Sequence, residues 1–134
     1  MQLTLQEIGT MIHYGLQPII FLINNDGYTI ERVIHGARQK YNDIVPYNWA
    51  YTLQLFGMSD EEAKKCFHRC ELKTELEGIV AKKDVQEPRK TQLIEVKMDA
   101  FDSPWRLTSQ VATRGEATVK MMKEAGFKVR DMKK

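Results

Sequence analysis

The hydrophobic positions of the chain switch between a helical and a strand period. Residues 5–12 place Leu and Ile at helical spacing, and Gly15 supplies a stop for that helix. The apolar run that follows predicts a buried strand over 18–23. Asn, Asp and Gly then interrupt the apolar pattern, and a short helix is predicted over 29–36. The start of the chain therefore predicts helix, strand, turn and helix in that order.

The rest of the chain continues this alternation, with Leu76, Ile79 and Val80 expected to face inward. Strands that alternate with helices predict a parallel α/β sheet. The further predicted elements are a loop over 37–47, a helix over 49–56, a helix with Ser59 as N-cap and Glu62 in a capping box, a strand over 66–70, a helix over 74–83, a turn over 87–90, a strand over 91–98, and a helical region from Pro104 that breaks near Gly115 and ends at Gly126.

Three strands make a small doubly wound sheet, whose central strand we expect to be covered on both faces. The outer strands of such a sheet have unpaired edges, which favour association with other chains. The sequence is therefore expected to form part of a larger domain.

Composition and charge narrow the class of protein. With 134 residues, 43% of them hydrophobic, the chain is typical of one globular domain with a modest core. A formal charge of +2, without interleaved basic and aromatic residues, argues against nucleic acid and acidic membranes as partners. The longest apolar run, at 19–23, is too short to span a bilayer, and no signal-peptide pattern opens the chain. Two cysteines make no disulfide framework, and a cytoplasmic location is expected.

The polar turn after the first strand is the strongest candidate for chemistry. Asn24, Asn25, Asp26 and Gly27 follow the carboxyl end of a predicted parallel strand, where α/β folds bind phosphates and metals. Asn and Asp tolerate a left-handed backbone, and Gly tolerates nearly any conformation. The following helix would direct its free N–H groups toward the same place. The same residues also make an ordinary surface turn, so residue chemistry alone leaves both interpretations open.

A family resemblance bears on this choice. The stretch 24–36, Asn-Asn-Asp-Gly-Tyr-Thr-Ile-Glu-Arg-Val-Ile-His-Gly, resembles the second half of the thiamine-diphosphate motif of fungal and bacterial pyruvate decarboxylases. The stretch 2–8 resembles the helix that follows the Gly-Asp-Gly half of that motif, and 41–44 and 101–104 match the family's carboxy-terminal region. The resemblance covers roughly residues 2–107 and rests on a specific motif.

The resemblance implies a fold and a division of the chain. It implies a partial thiamine-diphosphate-binding fold with a small parallel sheet flanked by helices, truncated at the amino terminus. Residues 1–107 would be the carboxy-terminal part of that domain, and 108–134 a helical extension.

The resemblance also implies roles for the turn. Mg²⁺ would bridge the cofactor diphosphate to the side-chain oxygen of Asn25 and the backbone carbonyl of Gly27, which suits its preference for hard oxygen ligands. The acidic ligand of the Gly-Asp-Gly half has no counterpart in this chain, so weak metal affinity is expected. Plain turn residues remain the alternative. Cofactor contacts are implied for Asn25, Asp26, Gly27, Tyr28, Thr29 and Ile30.

Glu31 is the implied catalytic residue. By similarity, its carboxyl group assists proton transfer after decarboxylation, a task that suits a carboxyl group held in an apolar pocket. The alternative is a glutamate favoured at a helix N-terminus by the helix dipole. Ile30 is implied to shape the substrate pocket, and core packing is its alternative.

Other candidate groups favour structural interpretations. Cys66, His68 and Cys70 alternate along a predicted strand and would share one face, yet no second cluster completes a zinc site, so buried thiols are expected. His13 and His35 are expected on a helix surface or in the core. Solvated charge is expected for the basic positions near the carboxyl end, namely Lys120, Lys123, Lys128, Arg130, Lys133 and Lys134, which are diluted by Glu116, Glu124 and Asp131.

Two functions remain as hypotheses. The first is a thiamine-diphosphate- and Mg²⁺-dependent decarboxylase of a 2-oxo acid, of the type that converts pyruvate to acetaldehyde and CO₂. The family's activating glutamate and paired histidines are not found here, so the isolated chain is expected to be inactive. The second is a non-catalytic interaction or regulatory module that binds full-length relatives. The resemblance implies a homo-oligomer or association with the family's missing domains, and it leaves the 2-oxo acid open.

Overall fold

The computed structural model describes residues 3–129, which form two compact units. Within the described residues, the first unit contains 3–24 and 47–97, and the second contains 25–46 and 98–129. The predicted domain division after residue 107 stays a prediction. Gln2 and the basic positions Arg130, Lys133 and Lys134 lie outside the described residues.

The first unit is built on a parallel sheet. Its strands are β1 (Ile19–Asn24), β2 (Phe67–Cys70) and β3 (Gln92–Lys97), arranged in the order β1-β3-β2. Both outer strands pair with β3 in parallel. The predicted α/β class, with a small parallel sheet flanked by helices, is confirmed.

The central strand β3 is covered on both faces, as predicted. Successive side chains of a strand point to opposite faces. Accordingly, Leu93 packs in a cluster with Leu22 and Leu53, whereas Ile94 packs in a different cluster with Ile79. Both β3 side chains are fully buried. One sheet thus supports two separate apolar layers within the first unit.

The outer strand β1 leaves one row of apolar side chains uncovered. Ile19, Phe21 and Ile23 alternate along it and are 37%, 50% and 52% exposed. Side chains two residues apart in a strand point to the same face, so these three make one stripe. Among the described residues, β1 pairs with β3 alone. We call these three residues the β1 stripe.

Five helices surround this sheet in the first unit, counted over its described residues. They are α1 (Glu7–His13), α3 (Thr52–Leu55), α4 (Asp60–Cys66), α5 (Lys73–Val80) and α6 (Lys83–Gln86). A single 3₁₀ turn, Trp49–Tyr51, precedes α3. Gly15, which was predicted to end α1, has a positive φ angle of 63°, and Gly57, which follows α3, has one of 96°.

Two helix predictions in this unit need correction. The helix predicted over 74–83 ends at Val80, because Lys82 adopts an extended conformation and α6 begins after it. Val80 is 36% exposed, so the prediction that it faces inward is wrong. Ser59 precedes α4 as predicted, but its side chain makes no capping hydrogen bond. The Glu62 carboxylate instead accepts hydrogen bonds from Lys90 and from Ser59, and these bonds, above all the one from Lys90, lower the pKa of Glu62.

The second unit packs three helices around its own core, over its described residues. They are α2 (Thr29–His35), α7 (Trp105–Ala112) and α8 (Glu116–Ala125). The predicted breaks at Gly115 and Gly126 are confirmed by φ angles of 117° and 107°. A 3₁₀ turn, Lys40–Asn42, lies inside the predicted loop. The core contains Val33, Val111, Met122 and Phe127.

Candidate functional site

The Asn-Asn-Asp-Gly turn leaves β1 and enters α2. Asp26 has a φ angle of 55°, and it is the non-glycine residue with a positive φ among those described. Gly27 follows with a φ angle of 151°. The left-handed conformation expected for this turn is therefore confirmed at Asp26, a residue type that tolerates it.

A short chain of hydrogen bonds fixes the Asn25 side chain. Its Nδ2 donates to Thr29 Oγ1 at 2.7 Å, and Thr29 Oγ1 donates to the Ala100 carbonyl at 2.9 Å. A hydroxyl group has one proton, and here that proton is directed to a carbonyl oxygen, which can only accept. The Asn25 atom that faces Thr29 must therefore be the amide nitrogen.

This order of donors determines which Asn25 atom is available to a ligand. With Nδ2 bound to the buried Thr29, the amide oxygen Oδ1 accepts no hydrogen bond from the described residues. An amide oxygen with free lone pairs is a hard ligand of the kind that Mg²⁺ binds. The side chain of Asn25 thus presents the atom that the family resemblance requires.

Arg32 holds the other side of the turn. This residue of α2 is only 5% exposed. Its guanidinium group donates to the carbonyl of Asn25 at 3.4 Å and to that of Asp26 at 3.0 Å. The same group pairs with Asp43 Oδ1 at 2.8 Å. Two successive carbonyls of the turn are therefore directed toward Arg32.

Gly27 lies where the backbone has no room for a side chain. A Cβ atom there would lie 2.2 Å from the Asn42 carbonyl oxygen and 2.6 Å from a guanidinium nitrogen of Arg32. Next to it, the Tyr28 N–H donates to that Asn42 oxygen at 2.9 Å. Asn42 is fully buried and donates from Nδ2 to the Gly36 carbonyl at 2.9 Å. The loop before residue 46 thus closes tightly over the turn.

The oxygen atoms of this turn are of the kind that could bind the magnesium ion of a diphosphate. The Gly27 carbonyl accepts no hydrogen bond from the described residues, in contrast to those of Asn25 and Asp26. Among the neutral oxygens of residues 25–27, Asn25 Oδ1 and the Gly27 carbonyl are therefore the two that accept no hydrogen bond from the described residues. Both are neutral, so an acidic ligand or the phosphates themselves must supply the negative charge.

Glu31 lies in the first turn of α2 and is partly open to solvent. Its side chain is 42% exposed, and Oε2 lies 3.2 Å from Nε2 of His35, one helical turn later. The prediction that His35 lies on a helix surface is confirmed, since its side chain is 58% exposed. Ile30 is 53% exposed, so core packing is wrong for that residue. Tyr28 is 46% exposed. All three predicted site residues remain accessible to a ligand.

Comparison with curated proteins identifies relatives of this chain. It is 43% identical over 110 residues to pyruvate decarboxylase isozyme 2 of Saccharomyces cerevisiae, and 44% identical over 110 residues to a pyruvate decarboxylase of Kluyveromyces marxianus. Each match covers 82% of this chain and 19% of the relative. Over this stretch, the chain is homologous to fungal pyruvate decarboxylases.

The homology has a limited extent. A pyruvate decarboxylase of Aspergillus parasiticus is 39% identical over 105 residues, which cover 77% of this chain and 18% of that protein. The chain thus spans about a fifth of the length of the curated pyruvate decarboxylases that it matches. No protein-family model matches the chain.

Inspection of the sequence missed three structural partners of the turn. Arg32, Asn42 and Asp43 lie within the stretches that resemble pyruvate decarboxylases, but no role was predicted for them. A signal for Arg32 does exist, because Thr29, Arg32 and Val33 have the i, i+3, i+4 spacing of one helix face, and all three are buried. An arginine on the apolar face of a short helix indicates a buried polar partner.

Both cysteines are buried thiols, as predicted. Cys66 and Cys70 are free and buried, and burial raises the pKa of each thiol. The prediction that they share a strand face with His68 is wrong for Cys66, which is the last residue of α4. Within residues 3–129, no group of three or more His, Cys, Asp or Glu side chains could hold a metal ion. No helix in that range is long and apolar enough to cross a membrane.

Proposed function

We propose that the chain forms the magnesium-binding turn of a thiamine-diphosphate-dependent decarboxylase that acts on a 2-oxo acid, converting pyruvate to acetaldehyde and CO₂ or a related acid in the same way. The observation that carries this proposal is the hydrogen-bond chain Asn25–Thr29–Ala100, which leaves Asn25 Oδ1 without a hydrogen bond from the described residues. Homology to pyruvate decarboxylases over 82% of the chain supports it.

In this proposal, each residue of the turn has a defined task. Asn25 Oδ1 and the Gly27 carbonyl would hold the Mg²⁺ of the cofactor diphosphate. Asp26, Tyr28, Thr29 and Ile30 would line the cofactor, in keeping with the contacts that the family resemblance implies. Thiamine diphosphate, when bound, supplies the electron sink for loss of CO₂ from the 2-oxo acid. In the family that the chain resembles, the acidic metal ligand belongs to a Gly-Asp-Gly segment, and we propose that a segment of that kind would complete the site.

Glu31 is the proposed proton-transfer residue. It lies in the first turn of α2, which begins two residues after Gly27, and its carboxylate is accessible. His35 at 3.2 Å restricts its orientation on α2. A positioned carboxyl group contributes about 10²- to 10⁴-fold to a proton-transfer step. We therefore expect Glu31→Gln to leave cofactor binding in place and to lower turnover by about that factor.

The test measures binding and turnover separately. The purified chain is titrated with thiamine diphosphate and Mg²⁺ in a calorimeter, and acetaldehyde release from pyruvate is assayed with and without an added amino-terminal fragment of the S. cerevisiae isozyme 2. We expect weak binding by the chain alone, and tighter binding with turnover once the fragment is added. Absence of both binding and turnover in the mixture would overturn the proposed function.

A matched pair of asparagine variants sharpens this test. Asn25→Ala removes the proposed metal ligand, whereas Asn48→Ala removes an exposed asparagine of the other unit that makes no side-chain capping bond. Only the Asn25 variant is expected to weaken Mg²⁺-dependent binding of thiamine diphosphate. Equal binding by both variants would contradict the assignment of Asn25 as a ligand.

A second candidate function is an interaction module that binds full-length relatives, and the β1 stripe favours it. Exposed apolar side chains on the outer strand of a sheet are a typical association surface. Phe21→Lys would place a charge in the middle of the β1 stripe, and Tyr14→Lys is the control, since Tyr14 is 71% exposed outside it. Sedimentation with the S. cerevisiae isozyme 1 is expected to detect a complex that only Phe21→Lys abolishes. Sedimentation as a free chain at every concentration would refute this candidate.

A further inference from the structure

We propose that Arg32 is a positioning residue that decides which oxygens of the turn face the cation. The inference rests on the proposed cofactor site and deepens it. The hydrogen bonds of the Arg32 side chain go to Asn25 O, Asp26 O and Asp43 Oδ1, and none of these atoms is a proposed metal ligand. It binds the carbonyls of Asn25 and Asp26, and so withdraws two of the turn's oxygens from the metal side.

The burial of Arg32 explains why its position is fixed. A guanidinium group presents its donors in a planar fork, so two carbonyls and a carboxylate can be bound in one orientation. Asp43, which is 67% exposed, supplies the compensating charge at 2.8 Å. A buried cation without such partners would strongly destabilise the folded chain. The arginine, once paired, therefore fixes the backbone of the turn.

The contact with Gly27 connects Arg32 to the second proposed metal ligand. A Cβ atom at Gly27 would come within 2.6 Å of the Arg32 guanidinium, so the arginine packs directly against the glycine backbone. Of the three backbone carbonyls of residues 25–27, those of Asn25 and Asp26 are bound to Arg32, which leaves the Gly27 carbonyl for a cation. Arg32 thus limits the number of protein oxygens at the site.

Limiting the oxygen ligands has a consequence for metal selectivity. Mg²⁺ needs a small octahedral set at short distance, whereas Ca²⁺ takes six to eight oxygens in flexible geometry. Removal of Arg32 would release two more carbonyls into the same turn. The variant site is therefore expected to lose preference for Mg²⁺ relative to Ca²⁺, an effect that a purely structural role of Arg32 would not produce.

The first experiment needs no cofactor. Amide hydrogen exchange is measured on the full chain for Arg32→Gln, Arg32→Lys and the control Arg38→Gln, which removes an exposed arginine of the same unit. We expect Arg32→Gln to speed exchange of the Asp26, Gly27 and Tyr28 amides at least tenfold, with little change in α7 and α8. Arg32→Lys keeps the positive charge but loses the planar set of guanidinium donors. Its exchange rates should therefore lie between those of the unmodified chain and those of Arg32→Gln. Exchange in Arg32→Gln that matches Arg38→Gln, or that rises equally throughout the second unit in both Arg32 variants, overturns the inference.

The second experiment compares Mg²⁺ and Ca²⁺ as probes. With thiamine diphosphate and the amino-terminal fragment present, calorimetry gives the affinity for each metal. Loss of a residue that orients metal ligands typically weakens binding by 10- to 100-fold. We expect Arg32→Gln to weaken Mg²⁺ binding by a factor in that range and Ca²⁺ binding by a smaller factor. Arg38→Gln should leave the affinity for both metals unchanged. Equal weakening of both metals overturns the selectivity argument. Absence of cofactor binding in the unmodified chain refutes the proposed function instead, while the exchange experiment still decides the position of Arg32.

Discussion

At the scale of single residues, the site depends on contacts that leave no spare volume. Gly27 is the clearest case, because an added Cβ would overlap a backbone oxygen that cannot move away as a flexible side chain could. Gly115, in the same unit, also has a positive φ but has nothing within 4 Å of such a Cβ. A comparison of alanine variants at these two glycines therefore distinguishes the cost of backbone strain from the cost of steric overlap.

We predict that Gly27→Ala destabilises the second unit far more than Gly115→Ala. Backbone strain alone costs of order 1–3 kcal/mol, and it applies to both variants. In Gly27→Ala alone, the overlap with Asn42 and Arg32 adds to this cost of backbone strain. We expect that variant to lose more than about 3 kcal/mol of its free energy of unfolding. Urea unfolding, followed by exchange protection of α7 and α8, measures both. Equal losses of unfolding free energy in the two variants would mean that the loop after α2 moves to accommodate the added Cβ atom at little cost.

A second residue-scale prediction concerns His68 and pH. Burial is the main reason why the pKa of His68 is lowered, with a further contribution from Lys82. Its Nε2 is buried without a hydrogen-bond partner among the described residues. In the unfolded chain, His68 takes up a proton near the ordinary histidine pKa of about 6.5, whereas in the folded chain it takes up that proton only at lower pH. Protonation therefore favours the unfolded chain, and stability falls as the pH drops from about 7 toward 5.

Unfolding by urea at pH 7 and pH 5 tests this direction. We expect His68→Gln to lose less stability between the two pH values than the unmodified chain. His13→Gln, which alters an exposed histidine of the same unit, serves as the control and should behave as the unmodified chain does. An identical pH dependence in all three proteins would exclude His68 as the cause.

At the scale of elements, α5 begins with a cap supplied from inside the helix. The Glu75 carboxylate accepts hydrogen bonds from the N–H groups of Glu71 and Leu72 at 2.8 and 3.1 Å. These two bonds are also the cause of the lowered pKa of Glu75. A helix leaves its first N–H groups without internal partners, so a carboxylate that reaches back helps to define where α5 starts.

We predict that Glu75→Met frays the start of α5. The replacement keeps the side-chain length and removes Oε2, the oxygen that accepts both hydrogen bonds. The Glu71 and Leu72 amides should therefore exchange faster with solvent. Glu77→Met, in the same helix, removes only an exposed pair with Lys73 and should leave those amides unchanged. Hydrogen exchange detected by NMR reports both. Unchanged exchange of the Leu72 amide in Glu75→Met would contradict the cap.

The elements also show what sequence periods can and cannot predict. The strands β1 and β3 were predicted because runs of apolar residues lie between polar turns, and Gly15, Gly115 and Gly126 mark helix ends through backbone freedom. The break at Lys82 was missed, since an extended lysine leaves no mark on the apolar pattern. The contact of Arg32 with Asp43 was missed because it depends on the path of a loop.

At the scale of the whole molecule, the sheet order makes β3 the strand on which the first unit depends. It lies between β1 and β2, and its residues belong to both apolar layers. The pattern of the sequence predicted this central position in general, but not which strand would occupy it.

We predict that Ile94→Ala lowers the free energy of unfolding of the first unit by about 2–5 kcal/mol, the usual cost of such a cavity in a core. Ile19→Ala changes the same residue type on the β1 stripe and should cost less than about 1 kcal/mol. Urea unfolding followed by fluorescence of the buried Trp49, in a Trp105→Phe background, measures both. A loss for Ile19→Ala as large as that for Ile94→Ala would mean that the β1 stripe is covered by another chain in solution.

The single proton of the Thr29 hydroxyl has a consequence for how this position can evolve. Serine would preserve the sequence of donor and acceptor from Asn25 to Ala100, whereas valine, although similar in shape, would leave the Asn25 amide without an acceptor and the Ala100 oxygen without a donor. Selection from a library randomised at position 29 is therefore expected to return threonine and serine, and to reject valine even where the valine variant folds. A shape-conserving replacement would thus be functionally less conservative than a smaller one.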